Sequence, residues 1–136
     1  MTHNFILDPR LQNDGTTVLD LKLCRVIFVN NALFPWIILV PMIPNTREII
    51  DLKSTDQTTL MQEISLTSTV MKEIFSPYKL NIAALGNKVE QLHIHIIARN
   101  QDDAAWPDPI FGKGKTAYDK DTQAKYLGLL REKLSN

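Results

Sequence analysis

Two of the three histidines in the chain stand two residues apart, in the stretch QLHIHII at 91–97. Successive side chains of a β-strand point to opposite faces. The aliphatic residues of the stretch would therefore line one face, as a hydrophobic core requires, and the other face would carry Gln91, His93 and His95. On such a strand the two imidazoles would lie about 6–7 Å apart at Cα, which is close enough for both to act on one ligand.

Paired imidazoles on a rigid strand are suited to nucleophilic chemistry on phosphorus. Neutral imidazole is a good nucleophile near pH 7, and a second imidazole can stabilise or protonate the group that leaves. A backbone carbonyl of the strand would hold Nδ1–H and leave the lone pair of Nε2 free. The alternative is a half-exposed strand whose polar face happens to carry histidine.

The turn Gly86-Asn87-Lys88 precedes the histidine stretch. It offers a side-chain amide, an ammonium group and backbone N–H groups, all of which can hold phosphate. Asn87 and Lys88 are therefore candidate substrate-binding residues. The same segment also fits a plain hairpin turn with glycine at positive φ, so both interpretations stay open at this point.

A His-x-His strand is also a common way to hold zinc or iron. Such a site needs a third ligand, and the candidates are His3, Cys24, Asp102 and Asp103. None of them stands at a recognisable ligand spacing. The sequence therefore predicts no metal centre, and nothing in it calls for a cofactor.

The elements that would position these residues predict an α+β protein. Four strands are expected, at about 24–29, 36–42, 80–85 and 89–99, the first two forming a hairpin. Apolar residues recur at helical spacing from Leu60 to Ile74 and predict a helix over about 55–75, and a second helix is expected over about 121–134. Antiparallel strands with two helices indicate one α+β domain spanning 1–136.

The bulk composition excludes several classes of function. Fifteen basic and fifteen acidic residues cancel in a chain of 136 residues. A duplex nucleic-acid binder usually has a basic excess, so polymeric nucleic acid is not an expected partner. The longest apolar run, 34–43, is too short to span a membrane, and the N-terminus lacks signal-peptide features. The lone Cys24 cannot form an internal disulfide, which fits a reducing compartment, and we expect a cytoplasmic protein with no membrane partner.

The pattern from Gly86 through QLHIHII resembles the signature of the histidine triad (HIT) superfamily, His-φ-His-φ-His-φ-φ with φ apolar. Downstream, Trp106-Pro107 resembles an element that follows the triad in some members. The resemblance covers about residues 20–112 and implies a HIT-like fold, an antiparallel sheet of about five strands with two helices. Two departures stand out: Gln91 replaces the first histidine, and Pro35-Trp36-Ile37 stands where many members have Pro-Gly-His.

The resemblance implies a nucleotide hydrolase or nucleotidyl transferase that acts at the α-phosphate of a nucleoside phosphoramidate, dinucleotide or similar substrate. His93 takes the position of the nucleophile that forms a nucleotidyl-imidazole intermediate. His95 takes that of the residue stabilising the phosphate or the leaving group. Gln91 keeps only an orienting role, because an amide does not titrate. The alternatives are a non-catalytic nucleotide-binding module and a His-x-His metal-binding protein.

The resemblance also places Asn87 on phosphate oxygens and Asn30, or its neighbour Asn31, near the ribose. The segment 100–116 is long for a loop of a compact domain, and such loops are often functional. We expect it to fold over the histidine face and to bring Trp106 near the ligand or across a dimer. Nucleotide-hydrolysing members pair as homodimers, and the apolar helix over 55–75 is consistent with such a pairing here.

Overall fold

A computed structural model describes residues 4–135 of the chain. Its elements, in order, are helix α1 (Pro9–Asn13), strands β1 (Gly15–Asp20), β2 (Cys24–Val29) and β3 (Trp36–Pro41), helix α2 (Ser54–Phe75), strands β4 (Lys79–Ala83) and β5 (Ile94–Arg99), and helix α3 (Lys120–Leu134). A short 3-10 helix, Ile49–Asp51, lies between β3 and α2. The predicted α+β class is confirmed.

The five strands form one antiparallel sheet in the order β1-β2-β3-β5-β4. The histidine strand β5 therefore lies inside the sheet, paired with β3 on one side and β4 on the other. His95 stands opposite Ile38 of β3 and Ala83 of β4. Pairing on both sides makes β5 a rigid base for the side chains that it carries.

One face of the sheet packs against α2 and α3 and forms the larger core. The predicted amphipathic helix is confirmed, because α2 buries Leu60, Ile64, Thr67 and Met71 against this face. Strand β5 contributes Ile94 and Ile96 to the same cluster. Within residues 4–135, no helix is long and apolar enough to cross a bilayer.

The opposite face is covered only at its two ends. At one end Leu7 and Leu11 of the N-terminal segment pack on Ile38 and neighbouring residues of β2 and β3. At the other end Ile110, from the loop after β5, packs on Ile97. His93 and His95 belong to this face and stand between the two clusters, as the alternation of the sequence predicts.

The histidine strand is shorter than the sequence predicts, because regular pairing begins at Ile94 and not near residue 89. Its partner β3 ends at Pro41, which has no N–H to donate to a ladder. The segment just before Ile94 bonds instead to the chain that follows β3, where the Leu92 N–H donates to the Thr46 carbonyl at 2.9 Å. His93 therefore lies just before the strand.

The N-terminal segment forms α1 and β1, two elements that the sequence analysis did not predict. Helix α1 is only five residues long and is capped by Asp8, whose side chain accepts the Arg10 N–H. A turn at Asp14 separates the two elements. A single helical turn and a short polar strand carry too little periodicity to be recognised, and both depend on contacts with the sheet.

Candidate active site

The ring of His93 is oriented by the main chain. Its Nδ1 lies 2.7 Å from the carbonyl oxygen of Gln91. A carbonyl can only accept, so in the neutral ring Nδ1 carries the proton and Nε2 presents its lone pair. This is the tautomer that the sequence analysis expected for a nucleophilic histidine.

The ring of His95 is held in the opposite tautomer by a side chain that the sequence analysis did not select. The Trp36 indole N–H donates to His95 Nδ1 at 3.0 Å. Because indole N–H can only donate, Nδ1 of His95 accepts, and the proton of the neutral ring sits on Nε2. His95 can therefore donate a hydrogen bond from Nε2 without carrying a charge.

Burial and the nearby charge of His93 lower the pKa of His95 to about 4. The side chain is only 7% exposed, and the rings of Trp36 and Phe111 lie 5.6 and 5.0 Å from it, centroid to centroid. His95 is thus neutral at physiological pH. It can act as a fixed hydrogen-bond donor and not as a cationic acid.

This environment predicts a pH-dependent loss of stability on acidification. The pKa of His95 falls from its ordinary 6.5 to about 4 on folding, so the unfolded chain binds the proton more tightly. Above pH 6.5 the protonation of His95 does not lower the free energy of unfolding. As the pH falls from 6.5 towards 4, the free energy of unfolding decreases by about 3 kcal/mol in total. Urea unfolding of the wild type and of His95→Gln at neutral pH and near pH 4 measures this loss. Equal acid destabilisation of the two proteins would contradict the assignment.

The two imidazoles lie against each other, with ring centroids 4.9 Å apart and an interplanar angle of 75°. They open into a cleft of about 380 Å³. Most of its other lining residues come from three segments: 11–14, 85–89 and 111–112. This volume lies within the range of small-molecule sites.

The turn before the histidines borders this cleft as predicted. Gly86, Asn87 and Lys88 all line it, and Gly86 has φ +75°, a conformation that glycine adopts without strain. The glycine turn therefore brings Asn87 and Lys88 to the cleft, and their role in holding phosphate stays a prediction.

Among the cleft residues that the sequence analysis missed are Leu11, Asp14, Trp36 and Phe111. Asp14 lines the cleft from the turn between α1 and β1. Burial raises the pKa of Asp14, while Lys115 and His93 lower it. Only the tertiary fold brings these residues to the histidines, because they come from three distant segments of the chain.

Gln91 orients His93, but through its carbonyl oxygen and not through its side chain. The side-chain amide binds the N-terminal segment instead. Its Oε1 accepts the Asp8 N–H at 2.8 Å, and its Nε2 donates to the Ile6 carbonyl at 2.9 Å. The residue that replaces the first triad histidine thus anchors one wall of the cleft.

Asn30 and Asn31 both use their side chains to hold the C-terminal part of the loop, and their place near the ribose stays a prediction. Asn30 Oδ1 accepts the Tyr118 N–H at 2.9 Å. Asn31 is buried, accepts the Thr116 N–H and donates to the Gly114 carbonyl. Neither asparagine is among the residues that line the cleft.

The loop after β5 does fold over the histidine face, but Phe111 and not Trp106 reaches His95. Trp106 packs on Tyr78 and over the guanidinium of Arg99, at 5.6 and 5.5 Å. Trp106 is not among the residues that line the cleft, and its place near the ligand or across a dimer stays a prediction. Its position follows from the buried ion pair of Arg99 and Asp103.

Arg99 is almost fully buried and pairs with Asp103, with Nε 2.7 Å from Oδ2. The Arg99 guanidinium, helped by the backbone N–H groups of Ala105, Asn100 and Trp106, holds the pKa of the Asp103 carboxyl well below its usual range. These bonds fix the first turn of the loop at the end of β5. They also place Trp106 over Arg99, where it packs on Tyr78.

The proposed third metal ligands do not gather at the histidines. Within residues 4–135 there is no group of three or more His, Cys, Asp or Glu side chains that could hold a metal ion. Asp103 is committed to Arg99, and Cys24 belongs to the larger core on the opposite face of the sheet. His3 lies outside the described residues.

The comparisons with known proteins agree on one family. The HIT domain family matches residues 10–102. A search of curated proteins found none that matches.

Three solved structures are similar over nearly their whole length. A histidine triad protein from Bradyrhizobium japonicum is 46% identical, with a TM-score of 0.94 over 96% of this chain and 98% of that one. One from Marinobacter aquaeolei VT8 is 41% identical, with a TM-score of 0.93 and 96% of each chain covered. One from Sinorhizobium meliloti 1021 is 35% identical, with a TM-score of 0.94 over 98% of this chain and 99% of that one. The family model covers more than half of the chain, and the structural likeness extends over nearly all of it, so this protein belongs to the histidine triad family.

Proposed function

We propose that the protein is a nucleotide hydrolase or nucleotidyl transferase that acts at the α-phosphate through a nucleotidyl intermediate on His93. The observation that carries this proposal is the pair of opposite tautomers. His93 presents a free Nε2 lone pair, and His95, with its ring centroid 4.9 Å away, presents an Nε2–H. One ring is arranged to attack phosphorus and the other to hold a phosphate oxygen.

In the first step, Nε2 of His93 forms a bond to phosphorus while the bond from phosphorus to the leaving group breaks. The electron pair of that bond departs with the leaving group, which takes a proton from water. His95 Nε2–H donates to a non-bridging phosphate oxygen and stabilises the charge that develops there. His95 keeps its proton throughout, because deprotonating a neutral imidazole at neutral pH is unfavourable.

In the second step, water or another acceptor attacks phosphorus and the bond to His93 Nε2 breaks. The electron pair returns to the imidazole, and the proton of the acceptor passes to solvent. The carbonyl of Gln91 holds Nδ1–H through both steps, so the ring keeps one orientation. The chemistry needs no divalent metal, because the nucleophile is imidazole and fixed donors hold the phosphate.

The remaining cleft residues suit a nucleotide. Leu11, Trp36 and Phe111 provide an apolar wall for a base, and the Asp14 carboxylate can accept hydrogen bonds from ribose hydroxyls. Asn87 and Lys88 stand beside the histidines and would bind phosphate oxygens.

The test is a panel of adenosine and guanosine phosphoramidates and dinucleotides, incubated with the protein in the presence and absence of a chelator. We expect release of a nucleoside monophosphate at the same rate in both conditions. Nucleotide binding without product would support a non-catalytic nucleotide-binding module. Activity lost to the chelator and restored by zinc would support a metal-dependent site.

We also propose that the protein forms a twofold homodimer through the edge of β4. The other edge strand, β1, is interrupted by a bulge, and the Arg131 side chain caps its Thr17 and Val18 carbonyls. Within the described residues nothing pairs with the outer edge of β4, where Ile82 is 49% exposed. Unpaired edges of this kind favour association, and a contact between two copies of the same edge is isologous.

Sedimentation measures this assembly. We expect two chains per particle at micromolar concentration, and a monomer for Ile82→Lys, because a charge on the edge opposes pairing. A wild-type protein that sediments only as a monomer would contradict the proposal.

A further inference from the structure

A second cleft, of about 410 Å³, adjoins the first at His93. Its walls come from residues 47–50, which follow β3, and from residues 84–86, which follow β4, together with Leu92. Leu85, Gly86 and His93 belong to both clefts. A phosphorus atom bonded to His93 would therefore stand at the junction of two separate spaces.

The second cleft is bordered by aliphatic side chains that water reaches. Ile50 is 83% exposed, Leu85 is 44% exposed and Ile49 is 41% exposed. Single exposed aliphatic residues are ordinary, but a group of them around one cleft marks a binding surface. These three stand beside the proposed nucleophile, so the group that they would contact is part of a substrate held there.

The charges around the second cleft disfavour a polyanion. Among the residues that line it the one cation is Arg47, which is paired with Glu90 at 2.9 Å. Glu48 lines the cleft, and Asp51 lies behind it, accepting the backbone N–H groups of both Arg47 and Glu48. The cleft therefore offers a polyanion no unpaired cation among its lining residues, whereas Lys88 lines the first cleft.

We propose that the second cleft binds the leaving group, and that it selects an apolar amine over a second nucleotide. The preferred substrates are then nucleoside phosphoramidates of apolar amines and not dinucleoside polyphosphates. This inference rests on the proposed function, since it assigns the part of the substrate that departs when His93 attacks.

The chemistry of such a leaving group fits the charges. The phosphorus–nitrogen bond breaks, its electron pair stays on nitrogen, and nitrogen takes a proton from water. The alkylamine so formed takes a second proton at neutral pH and leaves as an ammonium ion. The carboxylate of Glu48, which lines the cleft, stabilises that cation and would repel the phosphates of a departing nucleotide.

The experiment compares kcat/KM for the adenosine phosphoramidates of n-hexylamine and methylamine and for diadenosine triphosphate. We expect the wild type to prefer the hexyl over the methyl compound on the order of tenfold, as burial of about two methylene groups would give. In Ile50→Asn the ratio of kcat/KM for the hexyl compound to that for the methyl compound should approach one. Glu48→Lys should raise kcat/KM for diadenosine triphosphate relative to the hexyl compound.

Met61→Asn is the matched control, because Met61 is an exposed apolar residue of α2, on the helix side of the sheet. It should leave the hexyl preference as in the wild type. An Ile50→Asn variant that keeps the full preference, or loses both activities equally, would overturn the second cleft as a leaving-group site. A wild-type protein with a higher kcat/KM for diadenosine triphosphate than for the hexyl compound would also overturn the leaving-group site.

The two proposals can fail separately. If the wild type hydrolyses the methyl compound but shows no hexyl preference, only the leaving-group site is refuted. If the wild type turns over none of the three substrates, the proposed function is refuted and the leaving-group site with it.

Discussion

His93→Ala and His93→Asn should both abolish turnover, with a loss on the order of 10⁶-fold, as is typical when a catalytic nucleophile is removed. Neither alanine nor asparagine can form the covalent bond to phosphorus. Asparagine, however, can still place an N–H donor near the Gln91 carbonyl, where His93 Nδ1 now binds. Steady-state kinetics of the two variants on any accepted substrate measures the loss.

The asparagine variant separates chemistry from folding. His93 projects from the face of the sheet opposite the larger core, so we expect His93→Asn to retain the circular dichroism spectrum and nearly the urea midpoint of the wild type. Substantial turnover in a folded His93→Asn protein would show that another group attacks phosphorus.

His95→Ala should lower kcat by about 10²–10⁴-fold, the usual effect of removing one donor that stabilises charge in a transition state. His95→Gln should recover part of this loss, because its amide can offer an N–H near the position of Nε2. The fold-change in kcat between the two variants reports the donor role directly. A purely structural role for His95 would give equal losses in both variants.

Trp36 should act as a positioning residue through His95. Removing its indole N–H in Trp36→Phe leaves Nδ1 of His95 without its donor, so the proton can move to Nδ1 or a second proton can bind. We expect the pKa of His95 to rise and kcat to fall by about tenfold. Nitrogen-15 chemical shifts of the imidazoles follow both the tautomer and the pKa. Unchanged shifts in a folded Trp36→Phe variant would refute the role.

Local pattern predicted the parts of the fold that depend on neighbours in sequence. The spacing of Leu60, Ile64 and Met71 identified the buried side of α2, and alternation identified the face that carries His93 and His95. These periodicities arise from backbone geometry alone. The same argument could not place the start of β5, because that depends on the end of β3 at Pro41 and on the carbonyl of Thr46.

The site residues that the sequence could not identify are those brought in from distant segments. Trp36 reaches His95 only because β3 pairs with β5 in a register that puts Trp36 opposite Ile97. Trp106 looked more suited to a ligand than Phe111, but the buried pair of Arg99 and Asp103 decides where the loop turns. No local pattern predicts a strand register or a buried ion pair.

Gln91 shows how a resemblance can place a residue correctly and still leave its contacts unknown. The family pattern identified it as the first triad position. The structure divides its role between a carbonyl that orients His93 and an amide that binds Ile6 and Asp8. Histidine at this position would restore the triad, and its neutral ring would also offer one donor and one acceptor in place of the amide.

The most direct test of the account is to look for the covalent intermediate. The protein is mixed with a radiolabelled adenosine phosphoramidate, quenched within the first turnover and digested, and the labelled peptide is identified by mass spectrometry. The account predicts an acid-labile adenylyl group on His93, formed and consumed at rates compatible with kcat, and absent from His93→Asn. Turnover without any adduct, or an adduct on a residue other than His93, would contradict it.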